Sequence, residues 1–268
     1  MKKRLICLTL SLMMIISCFL TGCSNKEGDT EDNSTSPITL NLRVVSEKKV
    51  YTDKELDDAV KAGKIVKDSD EYNEIVNLTA ITDPEGIENK HFLDSLLFAA
   101  DPLVKGKVAD VGTGAGFPGI VTKIYKPEID ITLIEPTGKR CTFLQYALDT
   151  LGLDGHVVKE RAEEAARKQW REQFDVVTAR AVADMRVLSE YCIPLVKLGG
   201  YFVAMKGDGE KELAPALKAI EKLGGRFETM KTFTLPDESK RCLIISAKVK
   251  ETPKPYPRNG GKIAKAPL

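Results

Sequence analysis

The stretch Val108-Ala-Asp-Val-Gly-Thr-Gly-Ala-Gly-Phe-Pro-Gly119 constrains this chain more than any other. An apolar run passes into four closely spaced glycines and then into an apolar helical pattern. Glycine reaches positive φ and lets a ligand approach the backbone, so the segment reads as a strand, a tight ligand loop and a helix. The same alternation continues downstream. Strands are expected at Lys107–Val111, Ile129–Ile134, Gly155–Lys159, Phe174–Thr178 and Tyr201–Met205. Between and after them, helices are expected at Phe117–Tyr125, Lys139–Leu151, Glu163–Arg171, Met185–Leu195 and Lys211–Leu223. Pro118 fits only the first turn of its helix. Ile129–Ile134 is almost wholly apolar, as a strand covered on both faces must be. Glu228–Thr234 and Cys242–Ala247 then read as an antiparallel hairpin. The pattern predicts a Rossmann-like α/β fold: a seven-stranded, doubly wound sheet with a parallel core and the hairpin at one edge. With 268 residues, 43% of them hydrophobic, the chain can build one medium domain with additions.

The loop can hold a pyrophosphate, as in a dinucleotide fold, or the amino-acid end of S-adenosylmethionine, which has no phosphate and must be taken by backbone groups. Counted from Gly112, the dinucleotide pattern Gly-x-Gly-x-x-Gly fails, because Phe117 stands at the third glycine position. Counted from Gly114 it is met by Gly116 and Gly119, but the loop's start directly after Val111 favours the first count. Asp110, just ahead of Gly112, also suits a class I methyltransferase. S-adenosylmethionine is therefore the expected cofactor, and an NAD-dependent oxidoreductase is the competing possibility. Glu135 ends the second strand and can accept hydrogen bonds from ribose hydroxyls, in either class. Ala162 and Glu163 follow the third strand, where an adenine edge would be read; a charged helix start explains them equally well. Arg180 follows the fourth strand on the ligand side and can pair with a carboxylate or an RNA phosphate. Lys206, at the end of the fifth, is a second cation on that rim.

Charge and cysteine placement narrow the partners. The net charge is only +1, so the chain as a whole is no polybasic nucleic-acid binder. Residues 248–268 nevertheless carry six Lys/Arg against Glu251. This basic tail, with Tyr256, Arg258 and Lys262 among four prolines, can follow a phosphate backbone while Tyr256 stacks on a base. Cys141, Cys192 and Cys242 are scattered without a Cys-x-x-Cys pair, and the chain has two histidines, His91 and His156; no metal is expected. Cys141, Cys192 and Trp170 read as core, and His91 as packing on an apolar helix face formed with Ile87, Leu93, Leu96, Leu97 and Ala100.

The first residues speak differently. Lys2, Lys3 and Arg4 precede an apolar run from Leu5 to Leu20 and the box Leu20-Thr-Gly-Cys23, a layout resembling a bacterial lipoprotein signal with Cys23 as a lipidated anchor. Residues 24–69 follow as a polar linker and a degenerate N-terminal region, with a short strand at Ile38–Val45 and a helix at Asp53–Ala62; a further helix, Asp70–Leu78, opens the domain after them. The catalytic domain is expected over 70–247, with a helical lead-in at 70–102 that includes Glu85–Ala99. The signal-like start and the cytosolic character of the body conflict; a fusion of a lipoprotein start to a truncated enzyme, or a misplaced start codon, would reconcile them.

Several separate segments together resemble one family. They are Val76-Asn-Leu-Thr-Ala-Ile-Thr82, Lys90-His-Phe-Leu-Asp-Ser-Leu96, Ala109–Gly119, Gly138-Lys-Arg140, Thr178-Ala-Arg-Ala-Val182, Tyr256-Pro-Arg258 and Pro267-Leu268. The chain is similar, over roughly 70–268, to the RsmG (GidB) group, which methylates guanine N7 in 16S rRNA of the small ribosomal subunit. The resemblance implies that Gly112 and Phe117 line the cofactor pocket, that Ala162 and Glu163 contact the adenosine, and that Arg180 is a binding arginine. It implies that Lys90 and His91, and the Tyr256–Lys262 stretch, face RNA. A monomer in the cytoplasm is expected. Residues 38–75 keep little of the family's leucine-rich lead, and its usual tryptophan is missing. Guanine N7 carries a lone pair and no proton, so no catalytic acid or base is expected, only alignment. The alternative is an exported lipoprotein that keeps the fold as an inactive binding module.

Overall fold

The structure, a computed structural model, describes residues 84–207 and 209–268. The signal-like segment with Cys23, the linker, the expected elements at 38–45, 53–62 and 70–78 and the motif at 76–82 lie outside the described residues.

The described chain begins in a helical stretch of three parts. These are α1 (Pro84–Ile87), a π-helical turn (Glu88–Leu93) and α2 (Asp94–Ala99). Then follow β1 (Lys107–Val111), α3 (Gly119–Tyr125), β2 (Asp130–Ile134), α4 (Gly138–Leu151), β3 (His156–Val158) and α5 (Ala162–Ala165). The second half contains β4 (Phe174–Arg180), α6 (Met185–Cys192), β5 (Val196–Lys206), α7 (Glu210–Lys222), β6 (Gly225–Thr234), β7 (Lys240–Lys248) and α8 (Gly260–Lys265). The strands form one sheet in the order β3-β2-β1-β4-β5-β7-β6. The first five run parallel. β7 enters antiparallel beside β5 and pairs with β6 as the expected hairpin.

Strand alternation explains the two cores. On β1, β4 and β5, Ala109, Val177, Phe202 and Ala204 point to one face, packing with Met185, Leu188 and Ile220. Val108, Val176, Val203 and Met205 point to the other, packing with Ile120, Leu144 and Leu148. A period of two places successive residues on opposite faces, and helices cover both.

Three sequence expectations are corrected. The helix at Glu85–Ala99 exists, but its buried face is Ile87, Asp94, Ser95, Leu96, Phe98 and Ala99, while Ala100 is exposed. The π-helical turn adds a residue, which rotates everything after it by about 100° and defeats a count based on 3.6 residues per turn. The first core helix starts at Gly119, not Phe117, with Pro118 at its N-cap. The polar helix expected at Glu163–Arg171 is one turn, Ala162–Ala165, because the residues beyond it serve the C-terminal segment.

That segment folds against the body. The Arg171 guanidinium donates to the carbonyls of Tyr256 and Thr252 at 2.8 and 2.6 Å, and Arg167 to that of Pro257 at 2.9 Å. Thr252 and Ile263 are buried. The carboxylate of Glu190 on α6, fully buried, accepts the Arg258 backbone amide at 2.8 Å and its guanidinium at 2.6 to 3.2 Å. Asn259 then caps α8 by accepting the Lys262 amide at 2.9 Å.

Candidate active site

Parallel strands put their carboxyl ends on one edge, where open α/β sheets hold ligands. Here that edge gathers the loop after β1, Glu135 after β2, α5 after β3, Arg180 closing β4 and Lys206 closing β5.

The loop is organised by two carboxylates. Asp110 is completely buried; its Oδ2 accepts the Thr113 hydroxyl at 2.6 Å and the Gly119 amide at 2.8 Å. Its Oδ1 is buried without a partner among the described residues. Burial pushes the Asp110 carboxyl up to about 6, against the lowering effect of those hydrogen bonds. Glu135, 2% exposed, accepts the Gly114 amide at 3.2 Å and the Thr137 amide at 3.0 Å. Gly112 and Gly114 hold φ of +66° and +59°, which L side chains rarely adopt. A Cβ on Gly112 would come within 2.7 Å of Val182, whereas above Gly114 nothing lies closer than 4.0 Å. The Gly114 backbone therefore borders open space that a ligand can enter.

A second cluster flanks the loop. The Arg180 guanidinium donates to Asp94 Oδ2 and the Lys90 carbonyl, both at 2.9 Å, and lies 3.2 Å from His91 Nδ1. It also lies over the Phe117 ring, 5.6 Å from the centroid. The His91 ring stacks on Phe117 at 4.8 Å, and the Phe92 ring meets it edge-on at 5.5 Å. Burial first, and the Arg180 charge second, push the His91 imidazole down to about 4. The structure thus brings Phe117, Arg180, Lys90 and His91 into one cluster, and joins Gly112 to Glu135 through the loop.

Ala162 and Glu163 are buried on α5, and the Glu163 carboxylate abuts Gly260 of the C-terminal segment. Tyr256 lies 5.4 Å from the Lys222 ammonium and packs on the core. The Arg258 guanidinium is committed to Glu190 and the Lys206 ammonium to Glu212 and the Ala183 carbonyl. Lys262 is exposed, and so is Lys90, whose ammonium is 3.4 Å from Asp237. Asp94, Arg241, Glu190 and Glu212 were missed by sequence reasoning. Asp94 lies inside the Lys90–Leu96 segment, but nothing in that sequence marks it as the partner of both Arg180 and, at 3.3 Å, Arg241 of β7. The other three carry no local signal, since each finds its partner far along the chain. Among the described residues no group of three or more His, Cys, Asp or Glu can hold a metal ion. None of the described helices is long and apolar enough to cross a membrane.

A parallel sheet with an antiparallel β7 between β5 and β6, and a glycine loop after β1 facing an acid after β2, define a class I methyltransferase, an enzyme class that depends on S-adenosylmethionine. The chain belongs to the family described as rRNA small subunit methyltransferase G, which matches residues 40–241. That match begins within the 24–69 stretch, ahead of the helical lead-in. The Ribosomal RNA small subunit methyltransferase G of Lactobacillus johnsonii is 50% identical over 206 residues, covering 74% of this chain and 86% of that protein. The protein of the same name from Symbiobacterium thermophilum is 50% identical over 210 residues, covering 74% and 85%. A solved structure described under the conversion of a disulfide bond into a thioacetal group during echinomycin biosynthesis shares the fold, with a TM-score of 0.50 at 15% identity over 73% of this chain and 92% of its own.

Proposed function

We propose that this chain transfers a methyl group from S-adenosylmethionine to N7 of a guanine in 16S rRNA. The observation that carries the proposal is the meeting of the glycine loop, Glu135 and the Arg180 cluster at one sheet edge, in a chain half identical to proteins named for small-subunit rRNA methylation.

The residues present fit the cofactor. The partnerless Asp110 Oδ1 lacks a donor, and an α-ammonium is one. The open Gly114 backbone offers polar groups to the amino-acid end. Glu135 uses each oxygen for one amide and keeps lone pairs for ribose hydroxyls. As the resemblance implies, Ala162 and Glu163 would contact the adenosine, and Gly112 and Phe117 would line the rest of the pocket. When bound, the sulfonium supplies an electrophilic methyl group. Because guanine N7 brings its own lone pair, no side chain has to move a proton, and the protein contributes alignment. The exposed ammoniums of Lys90 and Lys262 suit RNA phosphates, whereas the Arg180 guanidinium, held by Asp94 and the Lys90 carbonyl beside Phe117, belongs to the cofactor side. Tyr256 and Arg258 act through the folded C-terminal segment that carries Lys262.

This assignment puts the working protein in the cytoplasm, where ribosomes and cofactor are. Lipid on Cys23 with surface exposure in cells would favour the exported-module alternative instead. The test is methyl transfer by the full chain from labelled S-adenosylmethionine to small subunits from a strain lacking this gene. Label in one guanosine of 16S rRNA, as 7-methylguanosine, is expected. Label confined to another RNA, or absent from guanosine, would refute the assignment.

A further inference from the structure

Lys206 carries a charge that the proposed transfer does not use. Its side chain is only 10% exposed, so the ammonium is poorly placed to meet a phosphate. It donates to the Ala183 carbonyl at 2.5 Å and lies 2.7 Å from Glu212 Oε2. That same Glu212 oxygen accepts the Met185 amide at 2.8 Å. The pair therefore grips both sides of Asp184, which in turn caps α6 by accepting the Arg186 and Val187 amides at 3.0 and 3.4 Å. The gripped segment, residues 181–184, links β4 to α6 at the ligand edge of the sheet. It contains Ala181 at φ +55°, a left-handed conformation for a residue with a side chain. Such a conformation persists only where the surroundings over-determine it, and it concentrates at functional sites. The next residue, Val182, is 37% exposed and apolar, and sits against Gly112 of the cofactor loop.

We propose that Lys206 and Glu212 are positioning residues: they clamp the strained 181–184 loop so that Val182 presents a fixed apolar wall to the target base beside Gly112. The proposal rests on the methyl-transfer assignment for the base, but the clamp itself does not. A fixed wall narrows the angles from which N7 can meet the methyl group, so its loss lowers the rate of the saturated complex rather than affinity. A direct phosphate contact would do the reverse, weakening RNA binding and its salt dependence.

The test uses the full chain and Lys206→Met, Lys206→Arg and Glu212→Gln. Single-turnover transfer is measured at saturating S-adenosylmethionine and small subunit, beside the affinity for each, and amide hydrogen exchange is followed at residues 183–185. Lys206→Met is expected to slow the saturated step at least tenfold and leave both affinities within threefold. It should also speed exchange at Met185 at least tenfold, with Lys206→Arg recovering part of both losses. A normal saturated rate overturns the proposal, whether RNA affinity falls or stays. So does unchanged exchange at Met185. If Lys206→Met fails to fold, Glu212→Gln carries the same expectations in milder form, and the same outcomes overturn them. A wild-type protein that transfers no methyl to rRNA refutes the functional assignment instead, and exchange at Met185 still decides the clamp.

Discussion

The Arg180 guanidinium lies over the face of the Phe117 ring, 5.6 Å from its centroid, while the His91 ring stacks on the same phenylalanine at 4.8 Å. One aromatic side chain of the glycine loop thus links the fourth strand to the helical lead-in. The cation beside His91 has a titration consequence. His91 is held near 4 by burial and by Arg180. Removing the charge with Arg180→Met should raise the His91 pKa, and proton NMR can follow it because the only other histidine is His156. An unmoved His91 titration would show that Arg180 exerts no field there.

The same group sets a stability slope. The folded pKa of about 4 lies below the ordinary imidazole value of about 6.5, so between these values the unfolded chain binds more protons. Stability from this group is full above about 6.5 and is lost as pH falls toward 4. Chemical denaturation of His91→Gln across that window should show a flatter dependence than wild type.

Asp110 behaves oppositely. Its carboxyl is pushed up to about 6 in the folded protein, so the folded state holds the extra proton between the ordinary carboxylate range and 6. The proton's contribution to stability is present at low pH and is lost as pH rises through about 6. If the ionised form receives the cofactor's ammonium, S-adenosylmethionine affinity rises over the same interval. Calorimetric titration from pH 5 to 8 should show this rise in wild type and a flat profile in Asp110→Asn.

Two neighbouring glycines should fail differently. Alanine at Gly112 meets both a left-handed backbone and Val182 at 2.7 Å, so the free protein loses stability, by about 1 kcal/mol or more. Alanine at Gly114 has room in the free protein and incurs only the backbone penalty, about 1 kcal/mol. Its methyl group then stands in the space assigned to the cofactor, so affinity should fall at least tenfold. Melting curves with and without S-adenosylmethionine separate the two effects.

The C-terminal segment depends on one ion pair. Arg258→Ala strands the fully buried Glu190 carboxylate, and losing one partner of a buried pair costs about 3–5 kcal/mol. Arg258→Lys keeps the charge but not the two-pronged geometry, and should fall between. Urea denaturation measures both; equal stability of all three proteins would mean that the segment does not need this pair.

Much of the core was legible because it obeys local rules. The apolar runs at Lys107–Val111 and Ile129–Ile134 could only be covered strands, and the glycine loop between strand and helix announced a ligand edge. Phase failed in the helical lead-in, since nothing in Glu88–Leu93 advertises a π-helical turn. Pairings across the chain were equally silent. Arg258 read as an RNA-facing cation because its basic neighbours were visible and Glu190, 68 residues earlier, was not a neighbour in sequence. Lys206 read as a rim cation for the same reason; its partners Ala183 and Glu212 lie on a different loop and on α7. Sequence shows composition near a site, while charge compensation is decided by the fold.

The decisive measurement is borohydride/aniline cleavage of 16S rRNA with primer extension, in cells with and without this gene. The predicted result is one stop at a guanosine that vanishes on deletion and returns with the wild-type gene but not with a Gly114→Ala, Glu135→Ala double variant. An identical cleavage pattern in both strains would contradict the assignment of this chain to guanine N7 methylation.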